Sequence, residues 1–498
     1  VRIVSDSAEV LVNDVLVPAM DAIPANGLAG LMSEDGAINV SVIEDLLNVV
    51  SGSAPVLTEN AAQLENSPEP TIEQLKGPVE QVKSLMSTLA PVADYATELK
   101  DTLPAMLGAQ GKRNYLIIAC TSAEMRSSVG FAGSYGLMTV DNGKITLGNF
   151  FGFDQNPRLA NSAPSATEED IRLFRWESSV DSRDVTQIID FQRVGEIESE
   201  IWEANGHGHV DGVIALDTIV LQRMLGLTGT TVTTPGGDTL NKDNTSDFLL
   251  NGVYKKYPEG KDQDAVFALV ADTAAKGIFG NLGKVNIANF AKVLSTAADQ
   301  GRIAVYMAND KEEAVLEDFG FAGTVSSDEK VPETGVYMSA CFGGKMYYYL
   351  ASDIQVGKAV KNADGTTTYD MEVTFKDTLD NAELATLTDY IKNGHQDGSL
   401  EFLIYLLAPT GGKISDMKVD GKFRGAKDFN TAFAIGAGGE ATMNETTYQG
   451  NDLWYGWAVI EMGNELVLNY KVTTAPGAEG DLVVRTTPLS DDTAIDYQ

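Results

Sequence analysis

The sequence predicts a chain of three regions, in which a helical N-terminal region precedes an α/β domain and an all-β domain. The expected bounds are residues 1–108, 109–325 and 326–498. Three patterns predict this order. Apolar residues first recur every three to four positions, then buried strands alternate with helices, and finally apolar and polar residues alternate between closely spaced turns.

In the first region, two apolar stripes predict a pair of helices. Residues 42–64 and 71–99 carry apolar side chains at helical spacing, and residues 66–70, with two prolines, separate them. We expect a helical hairpin packed on a neighbouring domain. The chain begins at Val1 rather than Met, so the alternative is a stalk that leads from an upstream membrane anchor or signal.

Alternating strands and helices predict the α/β domain. Residues 115–119 form an apolar run, as expected of a strand buried on both faces. Residues 134–140 and 144–147 predict a hairpin closed by an Asn-Gly turn. The other predicted strands are 211–216, 229–234 and 302–307, and the predicted helices are 187–205, 217–225 with Asp217 as its N-cap, 246–256, 263–279 and 287–298.

Beyond residue 326 the pattern becomes all β. Tyr369, Met371, Val373 and Phe375 alternate with polar residues, and residues 402–407 form a continuous apolar run. Glycine-containing turns recur between such segments. This spacing predicts a β-sandwich of the immunoglobulin-like kind.

Composition argues against several classes of function. The formal net charge of −35 disfavours binding to nucleic acids and to anionic lipid surfaces. No apolar run reaches the roughly 18 residues that span a bilayer. The two cysteines, Cys120 and Cys341, match neither a zinc site nor a disulfide framework. Two alternatives remain for them: two buried thiols or one long-range disulfide.

The candidate functional residues begin where the first strand of the α/β domain ends. Glu124 and Arg126 follow that strand, at the edge where α/β sheets open a binding crevice. Arg183 and Asp184 form a second charged pair in a loop-like stretch. We interpret the first pair as candidates for holding a phosphate and a metal ion or proton; the alternatives are an ion pair that fixes the loop and, for the second pair, a solvated surface pair.

The segment from the first strand to the hairpin resembles domain of unknown function 4012, a family of bacterial surface proteins. That family has an apolar strand, an Asn-Ala-Glu-Leu-Arg loop, a Gly-Gly-Phe-Ile-Gly-Ser-Tyr stretch and a strand that ends in Asp-Asn-Gly-Lys. The matching residues here are Ala123, Glu124, Arg126, Gly130, Phe131, Gly133, Ser134, Tyr135, Asp141, Asn142, Gly143 and Lys144.

The α/β domain also resembles, more remotely, the catalytic domain of the LytR–CpsA–Psr family, which transfers polyprenyl-pyrophosphate-linked glycopolymers onto peptidoglycan. By this resemblance Arg126 answers to the family's loop arginine and Ser134 to its strand serine. Arg183 and Asp184 stand at its Arg-Asp position, and Tyr135 stands where those enzymes carry a metal-binding Asp.

The resemblance implies an extracytoplasmic, membrane-anchored protein of a Gram-positive cell surface. The leading hypothesis is a non-catalytic or weakly catalytic module that binds an envelope glycopolymer or a polyprenyl phosphate. The later arginines that hold pyrophosphate are replaced by one lysine pair at residues 255–256, which argues against full activity. The alternatives are an active phosphotransferase, which would use Mg²⁺, and a structural surface protein; no other cofactor or metal is expected.

Overall fold

The N-terminal region is a hairpin of two helices. The computed structural model describes residues 9, 13, 17, 30–33, 36–67, 73–425 and 441–498. Within them, helix α1 (Val40–Glu65) pairs with helix α2 (Glu73–Met106), and Leu57 and Ala93 are buried between the two. The predicted helical region is therefore confirmed, while residues 68–70 of the predicted break lie outside the described residues.

Helix α2 joins this hairpin to the α/β domain. Tyr95 contacts Phe319 with ring centroids 4.9 Å apart. The Tyr115 hydroxyl, on the first strand, donates to the carbonyl of Met106 at 2.6 Å. The hairpin is thus packed on its neighbour, as the sequence predicted.

The α/β domain contains one five-stranded mixed sheet. Its strands are β1 (Arg113–Thr121), β2 (Phe131–Asp141), β3 (Lys144–Leu147), β4 (Gly212–Asp217) and β7 (Ile303–Met307). Their order is β3-β2-β1-β4-β7, and β1 pairs with β2 antiparallel and with β4 in parallel. The predicted interior strand at residues 115–119 is therefore confirmed. Asn142 and Gly143 have φ values of 46° and 79°, as the predicted Asn-Gly turn requires.

Helices cover both faces of this sheet. The helices of this domain are α3 (Glu168–Phe174), α4 (Phe191–Ala204), α5 (Thr218–Thr228), α6 (Thr245–Asp247), a π-helical turn (Phe248–Gly252), α7 (Val253–Lys256), α8 (Gly260–Asn281), α9 (Ile287–Asp299) and α10 (Asp310–Asp318). On one face, Ile118 and Tyr135 share a core with Val194 and Ile197 of α4. On the other, Val305 packs with residues of α2 and α10. This is the layered α/β arrangement that the sequence predicted.

One predicted strand is much shorter than expected. Instead of a strand at residues 229–234, β5 (Val232–Thr233) pairs with β6 (Thr239–Leu240) in a separate two-stranded sheet. Gly229 ends α5 in the left-handed conformation, with φ 67°. The chain is therefore still leaving a helix where the apolar pattern alone favoured a strand.

Capping side chains fix where two helices begin. Helix α4 begins at Phe191, later than predicted, because Val185–Gln187 form a 3₁₀ turn and the Asp190 side chain accepts from the amide of Gln192. Asp217 caps α5 as predicted, since its carboxylate accepts from the amides of the second and third helical residues at 3.0 and 2.9 Å.

The all-β region contains two six-stranded sheets. Its strands are β8 (Glu333–Ala340), β9 (Leu350–Val356), β10 (Val360–Lys361), β11 (Thr367–Asp377), β12 (Leu400–Leu407), β13 (Lys413–Asp420), β14 (Lys422–Arg424), β15 (Asn444–Tyr448), β16 (Asn451–Ile460), β17 (Glu465–Thr473), β18 (Val483–Thr486) and β19 (Ala494–Tyr497), with short helices α11 (Asn381–Leu384) and α12 (Asp389–Lys392). One sheet has the order β13-β17-β11-β9-β19, with β10 on β11. The other has the order β14-β16-β12-β8-β18, with β15 on β16.

The two sheets share one apolar core. Phe375 of β11 meets Phe402 of β12 edge to face, with centroids 5.5 Å apart, and the alternating apolar residues of both sheets belong to one buried cluster. The last strands, β18 and β19, pair in parallel with β8 and β9. The all-β character is confirmed, and the immunoglobulin-like topology stays a prediction.

The β14–β18 sheet is buried on its second face as well, by the α/β domain. The Tyr405 hydroxyl donates to the carbonyl of Leu173 at 2.9 Å, and Phe174 meets the rings of Tyr405 and Tyr448 edge to face. All eight residues of β12 are buried. The predicted two-sided burial of this apolar run is confirmed, while the domain boundary at residue 326 stays a prediction.

Both cysteines are buried free thiols, so the disulfide alternative does not apply. Burial raises the pKa of Cys120 and that of Cys341 well above the ordinary value of a thiol. Neither group is therefore a reactive thiolate at neutral pH.

Candidate functional site

A wholly buried loop joins β1 to β2 at the carboxyl end of β1. All residues from 122 to 130 are buried. The β domain contributes to holding the loop, because the amide of Ala340 donates to Met125 O at 2.9 Å and the Thr487 hydroxyl donates to Ser127 O at 2.7 Å. The loop closes at Gly130, whose φ of 122° is open to glycine. The predicted crevice is therefore closed over this loop by a second domain.

Four charged side chains meet at this loop, and we call them the Arg126 cluster: Glu124, Arg126, Asp184 and Lys345. The Arg126 Nη2 atom donates to Glu124 Oε1 at 3.3 Å and to Asp184 Oδ1 at 3.1 Å. Lys345 Nζ donates to the other oxygen of Glu124. The structure thus brings three of the five predicted site residues together and adds a fourth group, Lys345.

Lys345 reaches the cluster from the loop that follows β8. Its ammonium lies 5.2 Å from the ring centroid of Phe131 and 5.4 Å from that of Tyr254, so two aromatic faces and Glu124 surround it. Two glycines precede it, and a Cβ at Gly344 would lie 2.8 Å from the carbonyl of Ile391. The sequence analysis did not assign this lysine to the site, because it lies 221 residues from Glu124 in the chain.

The charges of the Arg126 cluster balance. Burial works to lower the pKa of Arg126, but Asp184 and Glu124 outweigh it and raise that pKa above its ordinary value. Burial likewise works against the charged form of Lys345, and Glu124 with two neighbouring tyrosines raises its pKa. Two cations therefore face two carboxylates, with no net charge left for an added anion.

The other predicted site residues lie apart from this cluster. Arg183 makes a two-pronged pair with Asp181, through Nε at 2.9 Å and Nη2 at 2.6 Å. Burial works to raise the pKa of Asp181, and the bonds from Arg183 and Arg158 lower it below its ordinary value. Ser134 is half-buried on β2, and within the described ranges no hydrogen bond links it to Arg126.

Comparison with known families supports the resemblance drawn from these residues. Residues 110–254 match a family described as "Protein of unknown function (DUF4012)". The middle of the chain carries a DUF4012 match. The resemblance of the β1–β3 segment to this family is confirmed over those residues.

Two solved structures are similar to the chain over less than half its length. Lin1025 from Listeria innocua is 10% identical, covers 45% of this chain and 85% of its own, and has a TM-score of 0.22. TagV from B. subtilis is 12% identical, covers 43% and 81%, and has a TM-score of 0.24. Both are LytR–CpsA–Psr proteins. At these scores the similarity carries no argument about function, and the comparison with curated proteins found no match.

A second buried polar group lies in the DUF4012 segment, and the sequence analysis missed it. Glu198 of α4 is fully buried and accepts from Ser182 Oγ at 2.8 Å and from Asn156 Nδ2 at 3.3 Å. Its other oxygen and the Tyr135 hydroxyl have no partner among the described residues. Burial raises the pKa of Glu198 to about 8. The sequence of α4 showed only the helical spacing of its apolar residues. It therefore did not distinguish Glu198 from a glutamate exposed on the surface.

The carboxylates near the Arg126 loop do not fit a Mg²⁺ site. Mg²⁺ requires free oxygen ligands in octahedral geometry. Glu124 is held by Arg126 and Lys345, and Asp184 by Arg126 and Gln187. Within the described part of the chain, no three His, Cys, Asp or Glu side chains gather around one possible ion position.

Proposed function

We propose that this chain is an extracytoplasmic cell-envelope protein that binds an envelope glycopolymer or its polyprenyl-phosphate carrier without transferring it. The DUF4012 match supports a relation to bacterial surface proteins of that family. The observation that carries the non-catalytic part is the neutral Arg126 cluster, in which the candidate ligand-binding charges of Glu124, Arg126 and Asp184 are already paired.

Phosphoryl transfer needs the opposite arrangement. The charge that develops on the transferring group is stabilised by exposed cations or by a metal ion. Here Arg126 is nine-tenths buried and its terminal nitrogens are bonded to Glu124, Asp184 and its own loop. A phosphate would have to displace Asp184, which forfeits a charge-assisted hydrogen bond of about 1.5–3 kcal/mol.

The extracytoplasmic location of this protein is also a proposal, and α1 is the described helix that bears on it. The sequence analysis expected no apolar run long enough to span a bilayer, and helix α1 corrects this: it is long and apolar enough to cross a membrane by length and composition, with 28% of its most apolar window buried inside the protein. It packs against α2 in a buried core. We therefore assign the proposed membrane anchor and the Gram-positive cell surface to the family resemblance rather than to α1.

The proposed ligand residues are Glu124, Arg126, Asp184, Arg183 and Ser134, and one substitution discriminates between their roles. Asp184→Asn removes the carboxylate that competes with a phosphate for Arg126. If Arg126 binds phosphate, this variant binds a soluble polyprenyl pyrophosphate analogue more tightly than the wild type. If the cluster is structural, the variant only loses stability.

The decisive experiment offers the full chain purified envelope glycopolymer and its lipid-pyrophosphate-linked form, with and without Mg²⁺. We expect saturable binding of the polymer and no release of the lipid phosphate above the rate without protein. Mg²⁺-dependent release would establish the phosphotransferase instead. Absence of binding, with the fold verified by circular dichroism, would leave a structural surface protein.

A further inference from the structure

Directly beside the Arg126 cluster, the same loop borders a cavity of about 390 Å³ between the α/β domain and the β domain. Ser127, Ser128 and Val129, the residues that follow Arg126, form part of its lining, with β18 and the segment after α10. This volume is within the range of small-molecule sites, roughly 300–1,000 Å³. The cavity lies at the carboxyl end of β1 and β4, the edge where α/β sheets place ligands.

The interior of this cavity offers hydrogen-bond donors that no described residue of the protein uses. Tyr337 of β8 is nine-tenths buried, and its hydroxyl has no hydrogen-bond partner among the described residues. Burial raises the pKa of Tyr337 further above the ordinary value of a phenol, so the hydroxyl remains a donor at neutral pH.

Arg485 of β18 supplies further donors. It binds Glu333 through Nε at 2.9 Å, and no partner of its two terminal nitrogens occurs in the described ranges. A guanidinium that is bonded to a carboxylate through Nε can still donate to a neutral oxygen through its terminal nitrogens.

The floor of the cavity is apolar and its rim is acidic. Buried apolar residues line the floor: Val129, Ile189, Phe191, Ala304 and Ala322. Four exposed acids stand in the lining, namely Asp299, Glu317, Asp318 and Asp328. With Glu333 and Arg485 the lining holds five carboxylates and one guanidinium, a formal charge of −4. Such a field repels phosphates.

We propose that the interdomain cavity binds an uncharged saccharide unit, and that this cavity rather than Arg126 is the glycopolymer site. This inference rests on the proposed function. Sugar hydroxyls donate to the rim carboxylates, sugar oxygens accept from Tyr337 and Arg485, and the C–H face of the ring lies on the apolar floor. A polyprenyl phosphate is disfavoured there because its charge has the sign of the rim.

The test measures binding of four uncharged trisaccharides, built from N-acetylglucosamine, glucose, mannose and galactose, by calorimetry and ligand-observed NMR. The 6-phosphorylated form of each is measured at low and high salt. We expect saturable one-to-one binding of an uncharged trisaccharide and at least about tenfold weaker binding of its phosphorylated form. That gap should narrow at high salt because screening weakens the repulsion.

Two substitutions locate the binding in the cavity. Tyr337→Phe removes only the hydroxyl and should weaken binding about three- to tenfold. Ser327→Trp places an indole at the exposed edge of the lining and should abolish binding. The matched controls, Tyr455→Phe on β16 and Thr58→Trp on α1, lie outside the lining and should bind as the wild type does.

The outcomes separate this inference from the proposed function. If envelope glycopolymer binds but neither cavity substitution weakens it, the cavity assignment is wrong and the proposed function stands. Tighter binding of a phosphorylated sugar overturns the charge argument. If neither the trisaccharides nor the glycopolymer binds to a folded protein, both the inference and the proposed function fail.

Discussion

Two cations and two carboxylates share the Arg126 cluster, and Glu124 is the group that bonds both cations. The presence of a buried ion pair is weak evidence that the pair stabilises the folded state. Removing one partner is costly all the same, because it leaves an uncompensated charge in a dry site. The cluster therefore links a loop of the α/β domain to Lys345 of the β domain through one carboxylate.

Glu124→Gln should lower the free energy of unfolding by about 3–5 kcal/mol, because Lys345 then lies buried without an anion. Adding Lys345→Met should recover part of that loss, and urea denaturation of the two single variants and the double variant measures the coupling. The exposed pair Lys376–Glu465 is the control, and Lys376→Met should cost less than about 0.5 kcal/mol. A Glu124→Gln variant as stable as the wild type would contradict this role.

Glu198 makes stability depend on pH. Its folded pKa of about 8 lies above the ordinary value of 4.5, so the folded state keeps a proton that the unfolded state releases between these values. Stability should fall as pH rises through this window, by up to about 1.4 kcal/mol per pH unit. Burial raises the pKa of Glu313 to about 8 and that of Asp377 to about 7, which adds the same sign.

Glu198→Gln removes one of these contributions. Urea unfolding at pH 5 and pH 8.5 should show a smaller loss of stability for the variant than for the wild type, with the variant more stable at pH 8.5. Glu203→Gln, on the exposed side of the same helix, is the control. Equal pH dependence of wild type and Glu198→Gln would mean that Glu198 ionises normally.

At this scale the residue pattern predicted what is local, and the family resemblance added Asp184 to the site. Glu124 and Arg126 are two residues apart, so their pairing could be expected from the sequence. Lys345 lies on another domain, and Glu198 is buried by the packing of α4 on the sheet. Those contacts depend on the tertiary structure, which the spacing of apolar residues within one segment does not encode.

Among the elements, the β1–β2 loop depends on one backbone position. Gly130 has φ of 122°, and a Cβ there would lie 2.8 Å from the carbonyl oxygen of Thr121. That oxygen belongs to the end of β1 and has little room to move. The conformation therefore carries both a steric and a dihedral requirement for glycine.

Gly130→Ala should cost at least about 1–3 kcal/mol of stability, because the backbone strain adds to a contact with Thr121. Gly152→Ala is the matched control, since a Cβ there meets nothing within 4 Å and its φ is not in the left-handed region. Thermal melts of both variants decide the matter. A Gly130→Ala protein that melts with the wild type would show that the loop can adjust freely.

Turn and cap chemistry was predictable at the element scale, and the short length of strand β5 was not. The Asn142-Gly143 turn and the Asp217 cap follow from side chains that act within three residues. The predicted strand at 229–234 failed because Gly229 ends α5, so the chain has only two residues left to pair as β5. A run of β-branched residues does not by itself supply a partner strand.

At the scale of the whole molecule, the surface that packs against the second face of the β14–β18 sheet decides how far the stability of one domain depends on the other. Tyr405, Leu403 and Trp457 of this sheet belong to the core that holds Phe174 and Phe191 of the α/β domain. The sequence predicted that β12 is covered on both faces. It did not reveal that the cover is the preceding domain, because the two contacting segments lie 232 residues apart.

Residues 326–498 expressed alone should therefore fold poorly, although the pattern marks them as a separate β domain. Removing the α/β domain exposes large apolar side chains, each worth about 1.5–3 kcal/mol of burial, and a contiguous apolar patch of this kind promotes aggregation. Co-expression with residues 36–325 should give a soluble complex that unfolds in one transition, measured by calorimetry and size-exclusion chromatography.

The double variant Leu403→Thr with Trp457→Thr tests the same contact. It should make the isolated 326–498 fragment more soluble and should weaken the complex between the two fragments. A monomeric 326–498 fragment that melts cooperatively without its partner would show that the β domain is independent and that the shared core is only a docking surface.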